Sequence, residues 1–334
     1  MTFATADSDG QVLDARDQRL LAALQCDGRL GAERAAEVLG VGARTVQRRW
    51  RALLDGGAAR VLALPPRPAG LGATMLRVRV LRGRLDVIAA ALAAREDIPF
   101  VDLSATGDEI LAVQLTHTAN GRPAAGQRDR LLFRQLPGTQ AVTDVTAATV
   151  LHVFAEAADW RLDVLTPAER AALTPAPVTE PTPVTDPTDR ALLAELAADA
   201  RLPAVTLATT VGLPESTVRR RLAALVRSGG LRTHVAVDAR RLGLAVDANV
   251  LLRVAPGRLD AVGRALAAHP AVHGALATTG EANLNVAVWF RDLAGLYAFI
   301  TRDLGALGVD AAETVIVGEA LKRPGVTRVT APRR

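Results

Sequence analysis

Gly40-Val-Gly-Ala-Arg-Thr-Val-Gln-Arg-Arg (40–49) and Gly212-Leu-Pro-Glu-Ser-Thr-Val-Arg-Arg-Arg (212–221) are one segment written twice. The match extends without a gap from residues 13–60 onto 185–232 at a constant offset of 172, with 20 of 48 positions identical. It continues downstream with small shifts. Gly83-Arg-Leu-Asp and Ala91-Leu-Ala-Ala recur as Gly257-Arg-Leu-Asp and Ala265-Leu-Ala-Ala, and Thr106-Gly107 recurs as Thr279-Gly280. A period this long does not suit a solenoid, so the chain is a tandem duplication of one larger unit.

The repeated segment spans a tight turn and a third helix. Helices are expected at 14–26, 31–39 and 43–55, and again at 186–198, 203–211 and 215–228. Asp14 and Asp186 stand where N-caps belong, and Gly40 and Gly212 end the second helices. A tight turn between two short helices is the helix-turn-helix arrangement. At roughly 100° per residue, Val46, Trp50 and Leu53 form one apolar stripe, while Arg44, Gln47, Arg48 and Arg51 gather on the other side. Val218, Leu222 and Leu225 repeat the stripe, with Ser216, Arg219 and Arg220 facing away. Residues 42–54 hold four arginines and no acid, which favours DNA over simple solvation of a helix face. Guanidinium forks suit phosphate oxygens and the O6/N7 edge of guanine. The candidate DNA-binding residues are therefore Arg44, Thr45, Gln47, Arg48, Arg51, Ser216, Thr217, Arg219 and Arg220.

After each helical head, the pattern alternates strand and helix. Strands are expected at 75–81, 99–104, 109–116 and 142–150, with helices at 84–94 and 127–136. The second copy repeats this with strands at 249–254, 272–277, 284–290 and 312–318, and helices at 258–268 and 292–304. The order β-α-β-β-α-β is that of a ferredoxin-like sheet. The fold class is thus α+β: two copies of a winged or plain helix-turn-helix domain, each followed by a ferredoxin-like domain. The expected boundaries are a polar tail at 1–12, a first head at 13–62 and a first sheet domain at 74–165. A Pro-rich linker follows at 166–185, then a second head at 186–234, a second sheet domain at 245–322 and a basic tail at 323–334. Five prolines between Thr174 and Pro187 make that linker semi-rigid. It either separates the copies or runs along a surface while they pack together.

Composition excludes several classes. Lys plus Arg total 40 against 35 acids, but only Lys322 is a lysine, so the positions of the arginines say more than the net charge of +5. One cysteine, Cys26, rules out an intrachain disulfide framework and a Cys-based zinc site, and it reads as a small core residue. No apolar run approaches the roughly 20 residues of a membrane span, and Met1–Gly10 is polar and acidic, so a cytoplasmic chain is expected. His117, His152, His234, His269 and His273 form no ligand cluster, and neither a phosphate loop nor a nucleophile elbow occurs. Trp160 and Trp289 are expected to pack, not to stack on bases. No metal, no cofactor and no enzymatic activity are expected.

Leu13-Asp-Ala-Arg-Asp-Gln-Arg-Leu-Leu with Gly40–Arg49, and Asp189-Arg-Ala-Leu-Leu with Gly212–Leu222, resemble the N-terminal helix-turn-helix of the Lrp/AsnC (feast/famine) transcriptional regulators. The sheet unit resembles that family's ligand-sensing domain, including the Thr-Gly before its third strand. The resemblance implies operator DNA as partner, assembly as a homodimer or larger homo-oligomer through the sheets, and a small effector, typically an amino acid, between them. Where the family pattern Thr-Gly-x-x-Asp continues, this chain has Ile110 in copy one and Asn283 in copy two. An apolar Ile110 implies loss of the ligand site in the first copy, so Thr279, Gly280 and Asn283 are the candidate effector residues. Residues 118–126 are expected to form a loop longer than its counterpart in copy two. Two other readings remain: an architectural DNA binder without effector, and a fused sirohaem decarboxylase on the same fold. Against the last, neither 98–105 nor 271–278 carries that enzyme's His-Asn-Tyr run.

Overall fold

A computed structural model describes residues 11–64, 72–116, 126–176, 178, 181–324 and 326–327. The N-terminal tail to residue 10, most of the loop expected at 118–126, His117 and the tail beyond 327 lie outside them. The first copy runs α1 (Ala15–Cys26), α2 (Ala32–Leu39), α3 (Ala43–Asp55), β1 (Ala59–Leu64), β2 (Ala73–Val80), α4 (Leu85–Ala93), β3 (Phe100–Ser104), β4 (Glu109–Leu115), α5 (Gln127–Arg130) and β5 (Val142–Ala155). Next comes α6 (Pro167–Leu173). The second copy runs α7 (Pro187–Leu196), α8 (Ala204–Val211), α9 (Glu215–Arg227), β6 (Arg232–Val237), β7 (Val246–Arg253), α10 (Leu259–Ala267), β8 (Val272–Thr278), β9 (Leu284–Phe290), α11 (Leu293–Ala298) and β10 (Ala311–Arg323). These elements gather into two compact units, one from Gln11–Ala69 and Arg161–Leu242, the other chiefly from Gly70–Trp160 and Gly243–Arg334. Like pairs with like across the duplication: heads with heads, sheets with sheets.

In the helical unit, local chemistry starts and stops each element. The Asp14 carboxylate accepts from Asp17 N at 2.7 Å, and Asp186 caps α7 through Thr188 N and Asp189 N. Gly40 and Gly212 take φ of 67° and 68°, a left-handed conformation that a side chain would strain, and so end α2 and α8. Val46, Trp50 and Leu53 are buried, as are Val218, Leu222 and Leu225. Trp50 also donates its indole N–H to Leu20 O at 3.0 Å.

The heads join through a two-fold pattern of reciprocal contacts. β1 and β6 pair antiparallel, with Arg60 opposite Ala236 and Leu64 opposite Arg232, positions related by the offset of 172. Arg29 donates to Ala200 O and Leu202 O, and Arg201 to Gly28 O and Leu30 O. Each guanidinium thus satisfies carbonyls of the other copy. Burial lowers the pKa of both, and the two terminal nitrogens of each donate to backbone oxygens. Gly28 admits no side chain, because a Cβ there would lie 2.6 Å from Val61 and Thr233.

Three expectations are corrected here. The linker does not begin at 166: Thr166 and Glu169 form a capping box that starts α6, and Glu169 pairs with Arg19 of α1. The segments expected as helices at 127–136 and 292–304 begin as α5 and α11 but widen into π turns at Leu131–Gln135 and Phe299–Leu304. β1 and β6 each follow their head as a strand, and β5 and β10 run past their expected ends, because partners far away in sequence supply their hydrogen bonds.

The sheet unit closes on itself. β5 pairs with β2 over residues 142–149 and then with β8 over 150–155. β10 pairs with β7 over 311–316 and then with β3 over 317–322. The order β10-β3-β4-β2-β5-β8-β9-β7 returns to β10, so eight strands form a ring in which each last strand serves both copies. The two sheet domains of one chain thus pair with each other through β5 with β8 and β10 with β3. α4 covers one sheet over Leu76, Val78 and Val80, and α10 and α11 cover the other over Ala248, Val250 and Leu252. On each strand the alternate residues face the opposite sheet.

Candidate DNA-binding face and inter-sheet cavity

The apolar stripes bury one side of α3 and α9 and leave the other to solvent. Arg44, Gln47, Arg48 and Arg51 are exposed on α3, and Ser216, Arg219 and Arg220 on α9, while Thr45 and Thr217 are half-buried near the helix starts. Gln47 donates to Glu33 of α2 at 3.4 Å, and Arg219 pairs with Glu215 one turn earlier. Arg44, Arg48, Arg51 and Arg220 have no partner among the described residues. Forks without a protein partner along one helix face leave their donors open to an anionic acceptor.

Arg49 and Arg221 belong to the same arginine runs but do another job. Arg49 bridges Asp14 and Asp17 at 2.8 and 2.7 Å, and Arg221 bridges Asp189 at 2.8 Å. Hydrogen bonds to Asp14 and Asp17 hold the Arg49 guanidinium above its ordinary pKa. These residues tie each third helix to the first helix of its own head. Identity between copies marked both roles alike, and only the acid partners separate them.

Between the facing sheets lies a cavity of about 450 Å³. Met75, Leu111, Ala148 and Leu251 give it an apolar wall, and Arg77, Arg253, Glu281, Glu313 and Asn285 contribute polar groups. Arg77 is held by Glu109 and Glu313, and these hydrogen bonds keep its guanidinium pKa above the ordinary value. Thr279 and Gly280 line the cavity. Thr279 N donates to Thr149 O at 2.9 Å, and Thr279 Oγ1 accepts from Thr149 N at 2.9 Å, so copy one anchors this loop. The backbone N–H groups of Gly280, Glu281 and Ala282 have no partner among the described residues. Gly280, at φ 103°, turns the chain so that these amides follow one another. Consecutive free amides make an anion-binding concavity.

Asn283 is not at the cavity wall. Its amide oxygen accepts from Val254 N at 3.0 Å and its amide nitrogen donates to Val254 O at 2.8 Å, an arrangement that splices β7 to the loop. Asn285, two residues on, takes the cavity position. The equivalence of Asn283 with Ile110 also fails. Ile110 stands opposite Val78, and Leu284 stands opposite Leu252, so by strand register the counterpart of Asn283 is Glu109. The two hairpins are equally long, with Leu103 opposite Ile110 and Ala277 opposite Leu284, but the Thr-Gly pair sits one residue later in the turn of copy one, and a one-residue slip moves a side chain to the other face.

A second polar cluster lies at the opposite end of the sheets. Arg323 pairs with Asp102 at 2.8 Å and Asp247 at 3.0 Å, and Asn249 donates to Asp102 at 3.2 Å. Burial pushes the Asp102 carboxyl up, whereas Arg323 holds Asp247 down against its own burial. His273 is buried and stacked on Trp289 with ring centroids 3.9 Å apart. Burial lowers its pKa against the pull of Asp247. Trp160 donates to Pro270 O and packs edge-on against Trp289, which makes both indoles packing residues. Among the described residues no His, Cys, Asp and Glu cluster is arranged to hold a metal ion, and no helix is long and apolar enough to cross a membrane.

Comparison with known proteins agrees with this division. Residues 13–54 and 186–226 each match the AsnC-type helix-turn-helix domain, and residues 247–327 match the Lrp/AsnC ligand binding domain. An uncharacterised HTH-type transcriptional regulator of Pyrococcus abyssi is 31% identical over 143 residues, which is 42% of this chain and 90% of that protein. The HTH-type transcriptional regulator FL11 of Pyrococcus horikoshii is 28% identical over 130 residues, 39% of this chain and 86% of that protein. These relatives match less than half of this chain, as a duplication requires. The siroheme decarboxylase NirDL superposes over 95% of this chain and 94% of its own, with a TM-score of 0.60 and 14% identity. That likeness concerns the fold alone.

Proposed function

The chain belongs to the Lrp/AsnC family of transcriptional regulators, and on that premise we propose that it binds double-stranded DNA through α3 and α9 and takes a small zwitterion, amino acids first, in the inter-sheet cavity. The DNA reading rests on the partnerless guanidinium groups repeated on two recognition helices. Arg48 and Arg220 occupy the same position in both heads and project away from the packed stripe. Replacing both with Ala should abolish specific binding while shifting the melting temperature by no more than about 4 °C, since surface changes away from packing cost about 0.5 kcal/mol or less each. Binding by the wild type should weaken with salt by about 0.9 in log–log slope per phosphate neutralised. A salt-independent affinity, or loss of folding together with binding, refutes the assignment.

The effector reading rests on the free amides of Gly280–Ala282 beside an apolar wall. They suit a carboxylate, and Glu313 and Asn285 suit an ammonium group. A zwitterion buried without such partners would cost several kcal/mol. Calorimetric titration with amino acids, on wild type and on Gly280→Pro, tests this: binding that survives the substitution unchanged places the ligand elsewhere. A tetrapyrrole is the competing occupant, on likeness of fold alone, and an absorption band that grows on titration with sirohaem would favour it. Because the sheet edges are used within one chain, the single chain supplies the paired heads and paired sheets that separate subunits supply elsewhere. Light scattering at working concentration reports whether chains then assemble further.

A further inference from the structure

The two heads form one unit with reciprocal contacts, yet they do not present the same surface. Aligned by the offset of 172, α3 and α9 keep Val46 with Val218, Arg49 with Arg221 and Leu53 with Leu225 at packing positions, and where Trp50 packs in α3 the apolar Leu222 packs in α9. They disagree at most positions that face solvent, with Arg48 and Arg220 the shared exception among the arginines. Arg44 becomes Ser216, Gln47 becomes Arg219, Arg51 becomes Ala223, Asp55 becomes Arg227, and Ala43 becomes Glu215. The preceding helices diverge in the same way: Glu33 and Glu37 of α2 become Val205 and Thr209 of α8, with Val205 left 56% exposed. Packing has been retained and outward chemistry has changed.

The differences alter what each helix can hydrogen-bond. A glutamine suits the N6/N7 edge of adenine, whereas an arginine suits O6/N7 of guanine. Gln47 is steadied by Glu33 of the neighbouring helix, while Arg219 is steadied by Glu215 of its own first turn. The shared Arg48 and Arg220 give both heads one common contact. Among the described residues α3 carries three partnerless guanidinium groups, at Arg44, Arg48 and Arg51, whereas α9 carries two, at Arg220 and Arg227, and an acid, Glu215, at its start. An isologous pair of identical heads reads an inverted repeat. These heads keep the two-fold framework, through β1–β6 and the Arg29 and Arg201 exchange, and fill it with unlike readers.

We propose that this chain recognises a directional operator: two inverted half-sites of different sequence, one read by α3 and the other by α9, so that a single chain binds in one orientation. The inference rests on the DNA-binding reading above and adds to it the kind of site that is read. A regulator built from two identical subunits has no preferred direction on a symmetric site, whereas this one does. Exchanging the two half-sites should leave affinity unchanged, because the chain turns round. Duplicating either half-site should weaken binding on the order of tenfold or more, the discrimination of one well-matched base contact.

Selection of bound DNA from a random pool, with the full-length chain, tests this directly. The wild type should enrich two unlike inverted half-sites at fixed spacing. The combined variant Ala43→Glu, Arg44→Ser, Gln47→Arg and Arg51→Ala gives the first turns of α3 the outward residues of α9, and its selected site should become an inverted repeat of the half-site read by α9. The reverse transplant, Glu215→Ala, Ser216→Arg, Arg219→Gln and Ala223→Arg, should yield a repeat of the other half-site and serves as the control should the first variant misfold. A symmetric site from the wild type, enrichment of one half-site only, or an unchanged motif from both folded variants overturns the inference while leaving DNA binding intact. No enrichment of any sequence by the wild type overturns the DNA reading as well.

Discussion

Phe154 at the end of β5 and Gly263 on α10 meet across the seam between the copies, and Gly263→Ala tests how that seam is held. A Cβ at position 263 would stand 2.5 Å from Phe154 Cδ2 and closer still to Cε2 and Cζ, so the ring must move. The other seam solves the same packing problem with different sizes. By strand register the counterpart of Phe154 is Leu321 and that of Gly263 is Ala89, and both of these are buried in the core of the first sheet. One copy offers a large ring to a glycine; the other offers a leucine to an alanine. Overpacking at this depth costs about 3 kcal/mol, the upper end of the usual range. Alanine in place of glycine within a helix returns about 1 kcal/mol. Gly263→Ala should therefore destabilise the sheet unit by about 2 kcal/mol, a fall of roughly 4–8 °C in melting temperature for a unit of this size. Phe154→Leu removes the obstruction, so Gly263→Ala made in that background should cost nothing or stabilise. Denaturant unfolding of the four species, followed by the fluorescence of Trp289 and Trp160, closes the double-mutant cycle. Equal effects of Gly263→Ala in both backgrounds would show that the ring and the glycine are not matched to one another. The same size exchange gives the pairing its specificity: two first copies would press Phe154 against Ala89, and two second copies would leave a gap beside Gly263.

Two other perturbations probe the polar interior of the sheets. The folded chain keeps His273 neutral where an unfolded chain would protonate it, so stability is complete above about pH 6.5 and falls below it, by up to about 1.4 kcal/mol per pH unit. Asp102, raised by burial, contributes a slope of the opposite sign, and Asp247 and Arg323 face the same ring. His273→Phe keeps the stacked ring without the titration, so its melting temperature between pH 5.5 and 7.5 should be flatter than that of the wild type; parallel profiles refute the role of His273. Arg77→Met should cost about 3–5 kcal/mol, because it strands the buried Glu109 with only the exposed Arg79 at 3.5 Å. Adding Glu109→Gln should recover much of that loss in urea unfolding, and a single-variant cost under 1 kcal/mol would contradict the ion pair.

The duplicated sequence determined the elements and their order because the signals are local. The Asp14 and Asp186 caps, the left-handed Gly40 and Gly212, and the apolar stripes of α3 and α9 act within a turn or two of chain. So does the outward placement of Arg48 and Arg220. The capping box at Thr166-Pro-Ala-Glu169 is equally local and marks the start of α6 in the sequence itself. Other features depend on partners far along the chain. Arg48 and Arg49 are adjacent and both recur in the second copy, but only the folded head shows Asp14 and Asp17 around the second of them. The reciprocal grip of Arg29 and Arg201 on each other's copy needs carbonyls more than 170 residues away, as the bonds from Arg29 to Ala200 and Leu202 show. The effector residues turned on a single step of register. The repeat matches at an offset of 174 at Gly83 and 173 at Thr106, and those offsets set Asn283 against Glu109 or Ile110 respectively. Only the hydrogen-bonded ladders of β4 on β2 and β9 on β7 choose between them, and they choose Glu109. Side chains alternate across a strand, so a slip of one residue exchanges the core face for the cavity face, and no local preference opposes it. Helices record their own faces in their sequence; a strand acquires its faces from the strand beside it.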